Sequence, residues 1–285
     1  MTQAVSGRQI RRSDVEKSCL EAINDRRSIV HFKDEEVSQE ALDQVLTAAL
    51  RASGPGGTLT GGYRGSQPFS IIVVRDKGRR TKLNEMLCEG RKKCIEEAPV
   101  SLLFCVDTYR LNRWAELQGG TAHFKGVGVL WVALRSVYTA AQNAVIAAES
   151  LGLGSQYVQE IVWQPYTTLD FFSLPKGVLP SAMLLLGHPA ERPPLAPSLP
   201  LEGVVHEERY HEPTDDELIG HFAQKEEYFQ NWMRSLPADS KLKQHMEERG
   251  VSNLAQFISL VTYTESFYKW RDDMVRMNLA LSELE

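Results

Sequence analysis

Arg26-Arg27-Ser28-Ile29-Val30-His31-Phe32 sets two guanidinium groups and a hydroxyl side by side near the start of the chain. Arginine forks onto phosphate oxygens through two parallel bonds, and a neighbouring serine adds a short donor. The cluster is therefore a candidate grip for one phosphate group. Other chemical motifs fall short of their patterns. His206-Glu207-Glu208-Arg209-Tyr210-His211 resembles a zinc-binding HExxH run but is one residue too long, and histidines five apart do not share a helix face. Gly126-Val127-Gly128 lacks the third glycine of a dinucleotide fingerprint and opens a helix instead of following a strand. Cys19, Cys88, Cys94 and Cys105 show neither a CxxC pair nor metal-ligand spacing. They read as reduced thiols, and Cys88 and Cys94 as inert ones on a charged helix. No catalytic triad and no metal site emerges.

Composition narrows the classes. The 285 residues suit one large domain or two small ones, and 42% hydrophobic with 24% charged residues is ordinary for a globular chain. A net charge of -5 argues against nucleic acid and anionic membrane as partners. The polar start, MTQAVSGRQIRR, has no apolar leader, so a cytoplasmic protein is expected. The longest apolar stretch, 127–151, is interrupted by Arg135, Gln142, Asn143 and Glu149, which predicts a buried helix and not a membrane span.

The elements that must position the phosphate grip follow from periodicity. A helix over 14–26, capped by Asp14, places Arg26-Arg27-Ser28 at its C-terminal end. Ser38 caps a second helix carrying Leu42, Val45, Leu46 and Ala49 on one face. Residues 53–66 hold six glycines and read as a loop. Ser70–Val74 and Ser101–Val106 are buried strands around a charged helix over 79–97, and 108–126 reads as irregular. A helix rich in alanine runs from about Val129 to Leu151 and ends at Gly152; its small residues suit a central position and contact with a partner subunit. A third strand begins near Gln156–Val158, a fourth covers Ala182–Leu186, and five prolines make Pro189–Pro200 an extended connector. Residues 214–285 read as two or three amphipathic helices divided near Leu236-Pro237 and Gly250. Apolar strands among helices predict α/β or α+β, with helices on both faces of one sheet.

Four segments, in order, resemble the nitroreductase family of FMN enzymes. Arg26-Arg27-Ser28 with Phe32 is similar to the family's opening RRS-x-x-x-F run, and Gln67-Pro68-Phe69 leads into a strand as the family's QPW/F does. Ala140-Ala141-Gln142-Asn143 through Ala147-Ala148-Glu149-Ser150-Leu151-Gly152-Leu153-Gly154 is close to its A-x-Q-N…AA-E-S-LGLG helix, and this is the most specific segment. Leu184–Gly187 with His188-Pro189-Ala190 resembles its strand end. The resemblance covers about residues 20–210 and implies an α+β fold, a central sheet flanked by helices in an intertwined homodimer with FMN at the subunit interface. It implies domain bounds of 1–210 for the FMN-binding part and 211–285 for a helical C-terminal extension packed on the same domain or on the partner subunit.

By position, the resemblance gives Arg26, Arg27 and Ser28 to the FMN phosphate and ribityl chain, and Ser66 and Gln67 to the flavin from the other subunit. Gln156, Tyr157, Val158 and Gln159, on to Glu160, would lie along the isoalloxazine edge near N5. The implied activity is electron transfer from NAD(P)H through flavin N5 to an electron-poor small molecule, a nitroaromatic, quinone or similar, with ping-pong kinetics and no catalytic side chain. Three positions depart from the family pattern. Val30 stands where Arg or Lys is usual, Gly65 replaces Asn, and Ser198 or a neighbour replaces a basic residue of the proline-rich segment. His31, Arg64, Arg91 and Lys93 are candidate substitutes. These departures suit two alternatives: a specialised member carrying out reductive dehalogenation or dehydrogenation, or a flavin-binding protein without enzymatic activity. Trp114, Phe124, Tyr157 and Trp163 are candidates for lining a substrate pocket. The tail's two apolar stripes, Tyr228–Met233 and Phe257–Trp270, suit covering the core or the other subunit, or forming a lid over the flavin.

Overall fold

Two uninterrupted apolar runs make the centre of a sheet, because strands covered on both faces need no polar alternation. The structure is a computed structural model, and it describes residues 17–52 and 66–262. β1 (Phe69–Val74), β2 (Val100–Asp107), β3 (Gly154–Val158) and β4 (Val178–Gly187) form one antiparallel sheet in the order β1-β2-β4-β3. Every residue of β2 and β4 is buried. β1 and β3 are the two edges.

β4 begins four residues earlier than its apolar run predicts. Pro180 lacks an amide hydrogen and would interrupt a regular ladder. Here the register slips by one between Phe104 and Cys105, so that Phe104 faces Ala182 and Cys105 faces Pro180. Ser181 is the extra residue of this bulge, and its hydroxyl accepts from Val106 N and donates to Leu179 O.

The helices form where caps and apolar faces coincide. α1 (Cys19–Asp25) starts at Ser18 in a reciprocal capping box with Glu21, while the expected cap, Asp14, lies outside the described residues. α2 (Gln39–Leu50) is capped by Ser38 as predicted. The charged helix expected over 79–97 is two helices, α3 (Lys77–Cys88) and α4 (Lys93–Glu97). Glu89 and Gly90 both turn left-handed between them, at φ 51° and 71°. α5 (Tyr109–Leu117) occupies the first half of the segment read as irregular.

α6 (Val127–Ser150) is the long alanine-rich helix, starting after Gly126 and stopping before Gly152. Ala133, Ala140, Ala141, Ala144 and Ala148 are fully buried, so it lies close against α2 and one face of the sheet. α7 (Glu160–Trp163) and α8 (Pro165–Phe172) contact β4. Residues 191–200 carry no helix or strand, as their prolines predict. Residues 53–65, most of the segment expected to be a loop, and the second tail stripe from Phe267 lie outside the described residues.

The chain divides into two compact units, with the change at Pro193 and Pro194. In the second, α9 (Asp215–Ser235), α10 (Lys241–Glu248) and α11 (Leu254–Phe257), which runs on into one wider turn over Ile258–Thr262, follow one another with breaks after Leu236 and at Gly250, where the sequence places them. Phe229, Met246 and Val251 form their own small core, with Trp232 and Phe257 packed ring against ring on Phe229.

Candidate functional site

The segment that leaves α1 runs beside the exposed edge of the sheet. Arg26 caps the helix with extended backbone, Ser28 bridges Ser155 in parallel, and Ile29 N donates to Ser155 O at 2.9 Å. Ile29 is fully buried and lies directly over Gly154, where an added Cβ would sit 2.5 Å from Ile29 Cγ1. Only a residue without a side chain allows this approach. Further on, Phe32 bridges Pro189, Lys33 N donates to His188 O, and Ala190 N donates to His31 O. Three segments far apart in sequence thus meet: 26–33, 154–160 and 188–192.

Polar groups at this junction are left with free capacity. Gln156 donates from Nε2 to the Tyr157 carbonyl, while its Oε1 is buried with no partner among the described residues. Arg26 is half-buried beside Tyr157; burial pushes the Tyr157 phenol up to about 12, and the Arg26 charge works in the opposite direction. Arg27 donates to the Asp25 carbonyl. Ser28 and Gln159 are exposed, and Val158 is buried in the strand.

An ion network that sequence reasoning missed supports the junction from α6. Glu149 is 1% exposed and accepts from Lys17 Nζ at 2.8 Å and Arg192 Nη1 at 2.6 Å. Lys17 also pairs with Asp25 at 3.1 Å; its hydrogen bond and then its charge hold the Asp25 carboxyl below the usual range. A carboxylate buried on an alanine-rich helix requires cations nearby, and that requirement was the available signal. Arg192 puts a cation in the proline-rich connector, six residues before Ser198.

Ser66 and Gln67 stand elsewhere, at the start of β1. The Gln67 backbone is left-handed at φ 45°, its side chain donates to Leu50 O, and Arg110 Nη2 donates to its carbonyl at 2.6 Å. Ser66 Oγ is buried with no partner among the described residues. Because β1 and β3 are opposite edges, one chain does not bring Ser66 and Gln67 to Arg26 and Gln156.

The suggested substitutes are engaged with other groups, and His31 alone among them lies in the junction segment. Arg91 turns to Cys88 O and Glu89, Lys93 to Glu96, and His31 to Glu97; Arg64 lies outside the described residues. Val30 is exposed. Of the four aromatic candidates only Tyr157 sits in the junction, and Trp114 and Trp163 are exposed on α5 and α7. A cleft of about 460 Å³ beside Phe32 is lined by five carboxylates, Asp34, Glu35, Glu36, Glu96 and Glu97, and by three cations, Arg75, Lys77 and Arg80, and none of the predicted phosphate-binding residues lines it.

Two buried thiols are poorly placed as nucleophiles. Burial pushes the Cys88 thiol up to about 11 and the Cys105 thiol to about 12, away from thiolate chemistry. The described residues contain no cluster of His, Cys, Asp and Glu able to hold a metal; the His206 ring instead stacks on Tyr210.

The nitroreductase family model matches residues 23–188, which span both the grip and all four strands. The chain belongs to the nitroreductase family. Similar relatives include an FMN reductase [NAD(P)H] of Bacillus subtilis (strain 168), 34% identical over 75% of this chain and 82% of the relative. An oxygen-insensitive NADPH nitroreductase of Salmonella typhimurium is 36% identical over 74% of this chain and 82% of that protein. The solved structure of the NfrA1 nitroreductase from B. subtilis superposes with a TM-score of 0.74 at 25% identity, covering 92% of this chain and 98% of that one. Within the nitroreductase fold, the junction of 26–33 with 154–160 is the candidate site.

Proposed function

We propose that this protein is an FMN-dependent oxidoreductase that moves electrons from NAD(P)H to an electron-poor small molecule, such as a nitroaromatic or a quinone, by a ping-pong mechanism. FMN reductases and a nitroreductase among the relatives support the reaction class. The observation that carries the site is the junction itself, where a half-buried guanidinium stands beside Tyr157 and the adjacent Gln156 keeps a buried amide oxygen with no partner among the described residues. The donor set fits the group. Arg26, Arg27 and Ser28 are phosphate ligands by chemistry, and Gln156, Tyr157, Val158 and Gln159 offer amide and backbone groups suited to a flavin ring edge.

When bound, FMN supplies the two-electron chemistry. The chain's part is to bind and orient. Arg26 and Arg27 neutralise the phosphate, the Ser28 hydroxyl adds a donor, and Gln156 Oε1 gains the partner it lacks. Lys17, Glu149 and Arg192 hold the end of α1 and the connector so that these groups keep their places. Ser66 and Gln67 approach the same cofactor from a second copy of the chain, which makes the working unit a homodimer. Thiols that are free in the structure suit a cytoplasmic setting.

Exposed Val30 in a position where the family carries a cation favours a second reading, a specialised member whose acceptor is neither a nitroaromatic nor a quinone. One experiment separates the readings. The purified protein is examined for a yellow flavin band, its released cofactor is identified, and NADPH or NADH is added without oxygen. Bleaching of bound FMN by either nucleotide is the expected result. A yellow protein that reduces with NAD(P)H but turns over neither acceptor class favours the specialised reading. A colourless protein that takes up no FMN overturns both.

A further inference from the structure

We propose that Arg110 is a positioning residue for the cofactor site, fixing the backbone at Gln67 so that Ser66 and Gln67 present their side chains to FMN. The inference rests on the reading that Ser66 and Gln67 contact the cofactor.

The Gln67 backbone stands at φ 45°, a region that side-chain-bearing residues seldom adopt. The following residue is Pro68, whose ring pushes its predecessor toward extended backbone, so this conformation is doubly disfavoured. Such a residue persists only where its surroundings over-determine it. Arg110 does much of that: one nitrogen, Nη2, donates to Gln67 O at 2.6 Å and to Phe69 O at 2.8 Å, clamping the carbonyls on either side of Pro68. Arg110 is in turn aimed by Asp107. Its Nε lies 3.6 Å from Asp107 Oδ2, and its backbone N donates to Asp107 Oδ1 at 2.9 Å. Asp107 is 5% exposed, takes the Ser70 hydroxyl on Oδ2, and donates from its own N to Pro68 O. The chain Asp107–Arg110–Gln67 therefore runs from the fully buried strand β2 to the edge where Ser66 Oγ waits without a partner among the described residues.

A clamp of this kind predicts an effect on cofactor affinity that exceeds its effect on the flavin-free fold. The test is titration of FMN into the flavin-free full-length protein, followed by flavin fluorescence, alongside the melting temperature of the same samples. Arg110→Ala is expected to raise the FMN dissociation constant about tenfold, the size of one lost charge-assisted bond. Arg110→Lys, which keeps a cation but loses the planar fork, recovers part of that loss. In a chain already carrying Ser66→Ala and Gln67→Ala, Arg110→Ala costs nothing further, because residues acting through one another are not additive.

Unchanged affinity in Arg110→Ala, with weakened affinity in the Ser66→Ala and Gln67→Ala chain, overturns the role of Arg110 and leaves the site reading intact. Full affinity in the Ser66→Ala and Gln67→Ala chain overturns the site reading beneath it. An equal loss from Arg110→Ala in both backgrounds shows that Arg110 acts by another route and also sinks the proposal. If Arg110→Ala fails to fold, Arg110→Lys carries the same comparisons.

Discussion

Arg26 and Gly154 concentrate the chemistry and the geometry of the candidate site in two residues. Arg26 is half-buried with no hydrogen bond or ion pair among the described residues, so its charge is available to a ligand. Arg26→Ala should weaken FMN binding by roughly 1.5–3 kcal/mol, the worth of a hydrogen bond to a charged group. A titration calorimeter reads this directly, and added salt should narrow the difference. Gly154 does the opposite job by offering nothing. Gly154→Ala drives a Cβ to 2.5 Å from Ile29 Cγ1, and neither β3 nor a fully buried isoleucine can yield cheaply. Overpacking of this kind costs about 1–3 kcal/mol. Ile29→Ala removes the clashing carbon, so the double variant should melt higher than the sum of the two single losses predicts. Simple additivity in a thermal melt would mean that the contact with Ile29 is not what makes Gly154 necessary.

The element that presents Arg26 is marginal on its own. α1 spans only seven residues, well below the length at which an isolated helix holds in water. Its capping box therefore matters: Ser18 Oγ accepts from Glu21 N, and Glu21 Oε2 accepts from Ser18 N. Hydrogen bonds from Ser18, side chain first, lower the Glu21 carboxyl from its usual 4.5. A depressed folded pKa contributes stability that is present above the unfolded value and is lost as pH falls through the folded one. Ser18→Ala should cost about 1 kcal/mol near neutral pH, and the gap to the parent should narrow below the usual carboxylate range as Glu21 takes up its proton. Denaturant melts at neutral and acid pH check it; a gap that stays constant would remove Glu21 from the account.

The same elements show what a sequence can reveal. Ser38, Gly152 and Gly250 mark helix ends by local chemistry, and α2, α6 and the tail helices were legible from them. Glu89 was not: a non-glycine residue turning left-handed leaves no local signature, so two helices read as one. Pro180 hid the first half of β4, because the bulge that accommodates it lies in the register with β2, which periodicity along one strand cannot report. The ion network was hidden for the same reason, since Lys17 and Glu149 are 132 residues apart. The family pattern did carry Arg26, Ser28, Gln156 and Gln67, but only the structure shows that the first three stand at one edge of the sheet and Gln67 at the other.

That separation shapes the whole molecule. If Arg26 and Gln67 serve one cofactor, the site must be built from two chains, with a two-fold axis making two such sites per dimer. The surface of the first unit suits a partner: Leu20, Ile23, Leu50, Val127 and Trp131 are all exposed, with Leu20 and Trp131 more than 70% so. Singly exposed apolar residues are ordinary, so it is the split site that calls for a partner, and these side chains supply apolar surface for it to cover. Mass measurement in solution should therefore give twice 32.1 kDa, and the sharper test is complementation. In Arg26→Ala both sites of the dimer lack the phosphate ligand, and in Gln67→Ala both lack the second contact. A mixed dimer places both changes in one site and leaves the other whole. Unfolding the two variants together and refolding them at equal concentration should restore about a quarter of the sites to parental FMN affinity, the share that random pairing gives. Refolding each variant alone should restore none. If the mixture does no better than its parts, the cofactor is held within one chain and Gln67 belongs to another purpose.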